Sequence, residues 1–299
     1  MKRYLVLLIL LLLLTIVLKK AYTPIPLHEP YVPIENPRIV CFYAYYEKNE
    51  EYKQNFKYFL KRGILKNVKY YIVVNGECSV DIAEWGNIVV LRRPNKGYDF
   101  AAYAHAIQKL EDEFDYYFFL NTSVKGPFYP ASVNPKWVDY FLPLFSKDTK
   151  LVGTAVNIYT ISQHNDYNLE RIYGHKAPFT HLQTMFFGMD RELFQYLDDI
   201  SFFSEVELEL KGIEYVIVFK EIGLTQKVLA KGWNINCILP EYRDLDYRTL
   251  KEDINPTSLN GEMYYYGRYF GKTVKPEQVI FYKGYRLSEL DQNANQNSG

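Results

Sequence analysis

Cysteine is scarce: Cys41, Cys78 and Cys237 are the only three in 299 residues. That is too few for a disulfide scaffold and too scattered for a zinc site, so at most one disulfide is permitted and none is required. An excess of charge is missing as well. Lys and Arg total 35 and so do Asp and Glu, and a net charge of zero argues against a dedicated nucleic-acid binder. Neither G-x-G-x-x-G nor G-x-x-x-x-G-K-[ST] occurs, which counts against an ordinary dinucleotide or P-loop enzyme. His28, His105, His164, His175 and His181 show no metal-ligand spacing. No segment of 20–50 residues recurs, so a repeat architecture is excluded. What is plentiful is aromatic: 29 Tyr, 19 Phe and 3 Trp, 17% of the chain. Such residues bring large buried area, and tyrosine adds a polar tip. With 48% hydrophobic and 23% charged residues, the chain is neither disordered nor a coiled coil.

The one long apolar run is Tyr4 to Leu18, flanked by Lys2-Arg3 and Lys19-Lys20. As a helix it is about 22 Å long, short for a bilayer core of about 30 Å, although flanking cations can snorkel. No small-x-small cleavage site follows, so an uncleaved signal-anchor is expected over a cleaved signal peptide. Five prolines between Pro24 and Pro37 then favour an extended stem. The expected organisation is a tail and anchor over 1–20, a stem over 21–36, one domain over 37–290 and a disordered polar tail over 291–299. This describes a single-pass, type II protein of an endomembrane such as the Golgi or endoplasmic reticulum.

Within the body, apolar β-prone runs are expected to form strands at 38–46, 68–74, 88–91 and 116–120. Helical spacing marks 50–62 and 100–110. Apolar runs without clean alternation suit a mostly parallel sheet buried on both faces. The expected fold class is α/β, a Rossmann-like sheet flanked by helices. Ligands in such sheets sit outside the carboxyl ends of the strands. The residues there are Tyr43, Ala44, Tyr45, Asn75, Asn95, Gly97, Asp99, Asn121 and Ser123. The second half is less regular, with strands at 151–156 and 185–189 and helices at 190–197 and 224–231.

Three stretches carry chemistry. Arg92 to Asp99 (RRPNKGYD) follows a strand and opens a helix. Its cations, Gly97 and the capping residue type of Asp99 suit a diphosphate at a helix N-terminus. Asp115 to Ser123 (DYYFFLNTS) is an apolar strand ending in small polar residues. Glu221 to Ile235 (EIGLTQKVLAKGWNI) reads as an acidic residue at a helix start, a helix, a glycine cap and a strand. Asp244-Leu245-Asp246 is a literal Asp-x-Asp, but its loop position makes coincidence the better explanation.

RRPNKGYD with AAYAHAI, FFLNTSVKGPF, HLQTMFFGMDRELF, KEIGLTQKVLAKGWNI and the late YFGKTVKPEQVIFYK fall in one order. In that order they resemble glycosyltransferases similar to rhamnan synthesis protein F, over about Arg38 to Arg286. The resemblance implies a GT-A fold, a nucleotide-sugar donor (a UDP-sugar), a carbohydrate acceptor and a role in glycan assembly. It places the nine strand-end residues named above around the donor, with Tyr43 to Tyr45 beside the base. Asn121 and Ser123 occupy the place of the metal-binding Asp-x-Asp, and the departure from the family pattern falls at Thr122, where relatives commonly carry an acidic residue. Any Mn²⁺ or Mg²⁺ is therefore expected to be held weakly, the diphosphate supplying most ligands. The resemblance also implies a catalytic base at Glu221, with Asp190 and His181 in reserve. The alternative is a non-catalytic sugar-binding or scaffold protein on a degenerate transferase fold.

Overall fold

The computed structural model describes residues 34–83, 86–129 and 136–284. The anchor, most of the stem and the polar tail lie outside the described residues. Among the described residues no helix is long and apolar enough to cross a membrane.

A seven-stranded sheet organises the body. Its strands are β1 (Ile39–Tyr45), β2 (Val68–Asn75), β3 (Ile88–Arg93), β4 (Tyr116–Asn121), β5 (Thr149–Gly153), β10 (Phe186–Asp190) and β11 (Asn234–Cys237). The order across the sheet is β11-β5-β10-β4-β1-β2-β3. Six strands run one way, while β10 is antiparallel to both neighbours, β4 and β5. The expected mixed α/β class is therefore observed, with one reversed strand. Every residue of β1 is buried, as a central strand covered on both faces must be.

The helices follow from local chemistry. Helix α1 (Glu50–Arg62) opens on Asn49, whose side chain accepts from the Tyr52 amide at 2.9 Å, and has Glu50 and Glu51 in its first turn and Lys61 and Arg62 in its last. Both charge pairs complement the helix dipole. Its buried face places Phe56 on Tyr45 and Phe59 on Tyr43, with ring centroids 4.0 and 4.7 Å apart. Helix α2 (Tyr98–Ile107) packs on β1 and β2 with Phe100, Ala101, Tyr103 and Ala104 buried. Much of the aromatic surplus goes into the core: Phe119 stacks on Phe42 at 5.0 Å and on Phe187 at 4.6 Å, and Phe186 stacks on Phe281 at 4.4 Å. Each such ring contributes about 1.5–3 kcal/mol by burial. Cys41, Cys78 and Cys237 are all free, so no disulfide forms.

Elements the sequence did not announce enclose the mouth of the sheet. Strands β6 (Val156–Tyr159) and β9 (Phe179–Leu182) pair as an antiparallel ribbon. Between them lie the small hairpin of β7 (Gln163–His164) and β8 (Tyr167–Asn168) and a short helix at Leu169–Tyr173. Two short helices, Glu205–Glu209 and Ile213–Val216, and a π-helical segment, Ile217–Ile222, lead into the helix expected at 224–231, observed as Gly223–Ala230.

Candidate active site

A cleft of about 1030 Å³ opens at the carboxyl ends of the parallel strands. Ala44, Asn75, Asn95, Gly97, Asp99, Asn121 and Ser123 line it from the sheet side, and His181 and Glu221 line it from the opposite side. The topology thus brings together nine of the twelve residues singled out in the sequence.

Three are placed elsewhere. Tyr43 and Tyr45 are fully buried, their rings held by α1. Burial on both faces of β1 leaves no direction in which they could meet a ligand; the exposed tyrosines of the cleft are instead Tyr46 (41%) and Tyr98 (42%). Asp190 pairs in register with Tyr116, at the amino end of β4. Because β10 runs backwards, its last residue points away from the cleft and its approach, Gln183-Thr184-Met185, faces it. Asp190 caps the helix Arg191–Asp199 by accepting from the Leu193 amide at 3.0 Å, and it binds Lys150 at 2.8 Å.

On the sheet side, Asp99 is the central group. It lies within the first turn of α2, and Gly97, in left-handed conformation (φ 69°), holds the cap position instead. Burial raises the Asp99 pKa, against the lowering effects of an Asn121 hydrogen bond and of nearby Lys283. The Asn121 amide donates to Asp99 at 2.7 Å, and Asn121 Oδ1 accepts from the Ser123 amide at 3.0 Å and hydroxyl at 2.6 Å. Thr122 turns inward: its hydroxyl donates to Ala44 O at 3.0 Å and accepts from Tyr46 N at 3.1 Å. Thr122 therefore fastens β4 to β1.

The basic octet divides in two. Arg93 is buried and structural, reaching Asn75 Oδ1 at 2.9 Å, Lys96 O at 2.8 Å, Glu205 at 3.1 Å and Glu209 at 2.5 Å. It is not available to a diphosphate. Lys96 lines the cleft with Lys48, Lys211 and Lys283. Gly97 makes its close approach to the Glu205–Glu209 helix: a Cβ there would stand 3.0 Å from the Glu209 amide nitrogen and 2.6 Å from Ala101 Cβ. Tyr98 follows with φ 59°, a left-handed conformation that costs a bulky side chain about 1–3 kcal/mol and clusters at functional sites.

Across the cleft, Glu221 sits inside the π-helical segment and not at a helix start. The continuous helical run from Ile213 removes the free amides that would have favoured its ionised form. Its neighbour Lys220 is buried on the other side, donating to Phe202 O at 2.7 Å and to Glu207 at 3.3 Å. A π turn widens the helix by one residue and often marks a functional position; here it accompanies Lys220 bonded inward beside Glu221 in the cleft wall. His181 is buried, its Nδ1 lying 3.0 Å from Phe179 O, and burial lowers its pKa to about 4. Asn157, Gln183, Glu262 and Tyr265, none of them foreseen, complete this wall. They come from a four-residue strand and irregular loops whose sequence carries no periodic signal.

The residues present do not suit a protein-held divalent ion. Asn121 and Ser123 are neutral and bonded to each other, and Asp99 is the single carboxylate beside them. Among the described residues no group of three His, Cys, Asp or Glu side chains is placed to hold a metal.

With this geometry goes a sequence match: the family model for rhamnan synthesis protein F covers residues 78–259, more than half of the chain. The chain belongs to the rhamnan synthesis protein F family. The match spans Asn95 to Asp99, Asn121 to Ser123, His181 and Glu221. No curated protein matches the sequence. Among solved structures, a mannosyltransferase from Pyrobaculum calidifontis in complex with GDP-Man and Mn²⁺ overlaps with a TM-score of 0.38 at 10% identity, over 69% of this chain and 57% of its own. A 4-diphosphocytidyl-2C-methyl-D-erythritol synthase from Anaerococcus prevotii gives 0.38 at 12% identity, over 73% and 93%. A glycosyltransferase acting in glycosylation of the major capsid of PBCV-1 gives 0.33 at 10%, over 62% and 76%. Overlaps this partial bear on neither mechanism nor substrate.

Proposed function

We propose that the protein transfers a sugar from a nucleotide-sugar donor to a carbohydrate acceptor by direct displacement, with Glu221 as base. The observation that carries this reading is the cleft itself, which sets Asp99, Asn121 and the N-terminus of α2 against Glu221 across one opening. The donor lies on the sheet side. Tyr46 and Tyr98 offer exposed rings to the base, and the diphosphate meets the α2 N-terminus and the lysines of the rim. These cations do the neutralising that a metal would otherwise do, so the diphosphate is held without a protein-bound ion. Asp99 fixes the Asn121 amide, whose orientation sets the floor beneath the donor sugar.

In the transfer, the acceptor hydroxyl oxygen bonds to the anomeric carbon as the bond from that carbon to the phosphate oxygen breaks. The hydroxyl proton passes to the Glu221 carboxylate and the nucleoside diphosphate leaves. The apolar run over 4–18 is proposed to tether this body to a membrane. The test of the reading is Glu221→Gln, which keeps shape and removes basicity. With a panel of nucleotide sugars and oligosaccharide acceptors, the variant is expected to lose at least ~10²-fold in transfer while donor affinity stays within about twofold. Transfer at the normal rate in Glu221→Gln removes Glu221 from the base role.

A further inference from the structure

We propose that a second cavity, which shares β9 and the Gly223–Ala230 helix with the cleft, is a binding site for an acidic saccharide: a sugar chain bearing carboxylate or phosphate groups. The proposal goes beyond the transferase reading and does not depend on it. The cavity has a volume of about 770 Å³. Successive residues of β9 face the two openings, His181 the cleft and Thr180 the cavity, as the alternation of a strand requires. The helical run divides in the same way. Glu221 and Ile222 line the cleft, whereas Phe219, Gly223, Gln226 and Lys227 line the cavity. The wall is tied together by the buried Gln226: its Nε2 donates to Thr180 O at 2.8 Å, and its Oε1 lies 2.8 Å from His175 Nε2.

The ionisable groups of the cavity are all basic. His175, Lys176, Lys227, Arg248 and Lys251 line it, and no Asp or Glu does. In a chain with 35 residues of each sign, that is a segregation of charge. Arg248 is already occupied: Asp246 takes it at 2.8 and 3.0 Å, with Asp148 at 3.5 Å. The three lysines are exposed, and none of them forms an ion pair among the described residues. They come from a loop before β9, from the Gly223–Ala230 helix and from the loop after Tyr247, so the fold and not a local run of sequence gathers them. A further cation, Lys231, stands 4.6 Å from the ring of Tyr196, which also lines the cavity. Unpaired cations facing one enclosed space repel one another, and an anion there relieves the repulsion. The volume falls in the range of sites for small molecules, and Tyr173 and Phe219 add aromatic surface. An inorganic anion alone would leave those rings bare, and a bilayer is too flat to enter a cavity. A saccharide carrying carboxylates or phosphates meets both features, its anions on the lysines and the C–H faces of its rings on the aromatics.

The test is calorimetric titration of the full-length protein with oligogalacturonate, a phosphorylated manno-oligosaccharide, neutral gluco-oligosaccharides of the same length, inorganic phosphate and UDP. The same series is repeated on the double variant Lys176→Gln/Lys227→Gln. At least one acidic saccharide is expected to bind, about tenfold or more tighter than the neutral chains and than inorganic phosphate. Which of the two binds tells carboxylate from phosphate. The double variant is expected to lose about tenfold or more of that affinity, while its titration with UDP matches that of the wild type within about twofold, because neither lysine lines the cleft. Both side chains are exposed, so the variant should melt with the wild type; if it does not fold, Lys227→Gln/Lys251→Gln takes its place. Failure of both acidic saccharides to bind, equal affinity for the neutral chains or for inorganic phosphate, or undiminished binding in the variant overturns the proposal. So does a parallel loss of UDP binding, which would assign these lysines to a nucleotide, as would capture of phosphatidylserine vesicles through them with no acidic saccharide bound.

Discussion

At Thr122 a single hydroxyl group shows why residue types at a motif position do not settle their use. The sequence marks Asn121, Thr122 and Ser123 as one polar strand end, yet Thr122 bonds inward to β1 while Asn121 turns to Asp99. The place of Asp99, Asn121 and Asn95 in the cleft wall was legible because they lie at or just beyond the carboxyl ends of parallel strands. Tyr43 and Tyr45 were not, since a strand buried on both faces has no alternation to reveal where each ring points. The place of His181 in the cleft wall was legible but its neutral state was not, because burial depends on a ribbon and a loop brought from distant sequence. Its folded pKa of about 4 lies below the ordinary 6.5, so the unfolded chain takes up the proton first. Stability is therefore undiminished above pH 6.5 and falls as pH drops towards 4. The loss amounts to about 2 kcal/mol at pH 5. Denaturant unfolding at pH 7.5 and pH 5 should show His181→Gln losing about 2 kcal/mol less than the wild type between the two. Identical losses would mean that His181 is not held neutral.

Among the elements, β1 to β4 and their two helices were plain from apolar runs and helical spacing, within two or three residues at each end. The direction of β10 was not, and that alone misplaced Asp190: its capping chemistry was visible, while the end of the sheet it occupies depended on orientation. The π-helical segment is likewise invisible to a period of 3.6, and it moved Glu221 from a helix start to a helix interior. Where an element's position hangs on one close approach, a small change is informative. Gly97 joins α2 to the Glu205–Glu209 helix at a left-handed φ of 69°. An alanine there must displace the Glu209 backbone and adopt an unfavourable conformation, and the Arg93–Glu209 pair moves with it. Gly97→Ala is expected to lower stability by about 2–4 kcal/mol in denaturant unfolding. An unchanged midpoint would show that the two helices are not locked together at this point.

At the scale of the whole molecule, the mixed α/β class was readable from apolar runs and the family from five ordered motifs, each of which places at least one residue in the cleft wall. The far wall was not readable, since Asn157 and Glu262 come from short or irregular segments with no pattern of their own. In the proposed function this cleft binds a donor diphosphate on its sheet side, through lysines and a helix N-terminus and without a protein-held metal. Calorimetric titration of the full-length protein with UDP and GDP in excess EDTA tests it most directly, with Asp99→Ala as the comparison. At least one nucleoside diphosphate is expected to bind in EDTA, with binding weakened by about 1–3 kcal/mol in Asp99→Ala. Absence of binding until Mn²⁺ or Mg²⁺ is restored, or equal affinity in the folded variant, would contradict it.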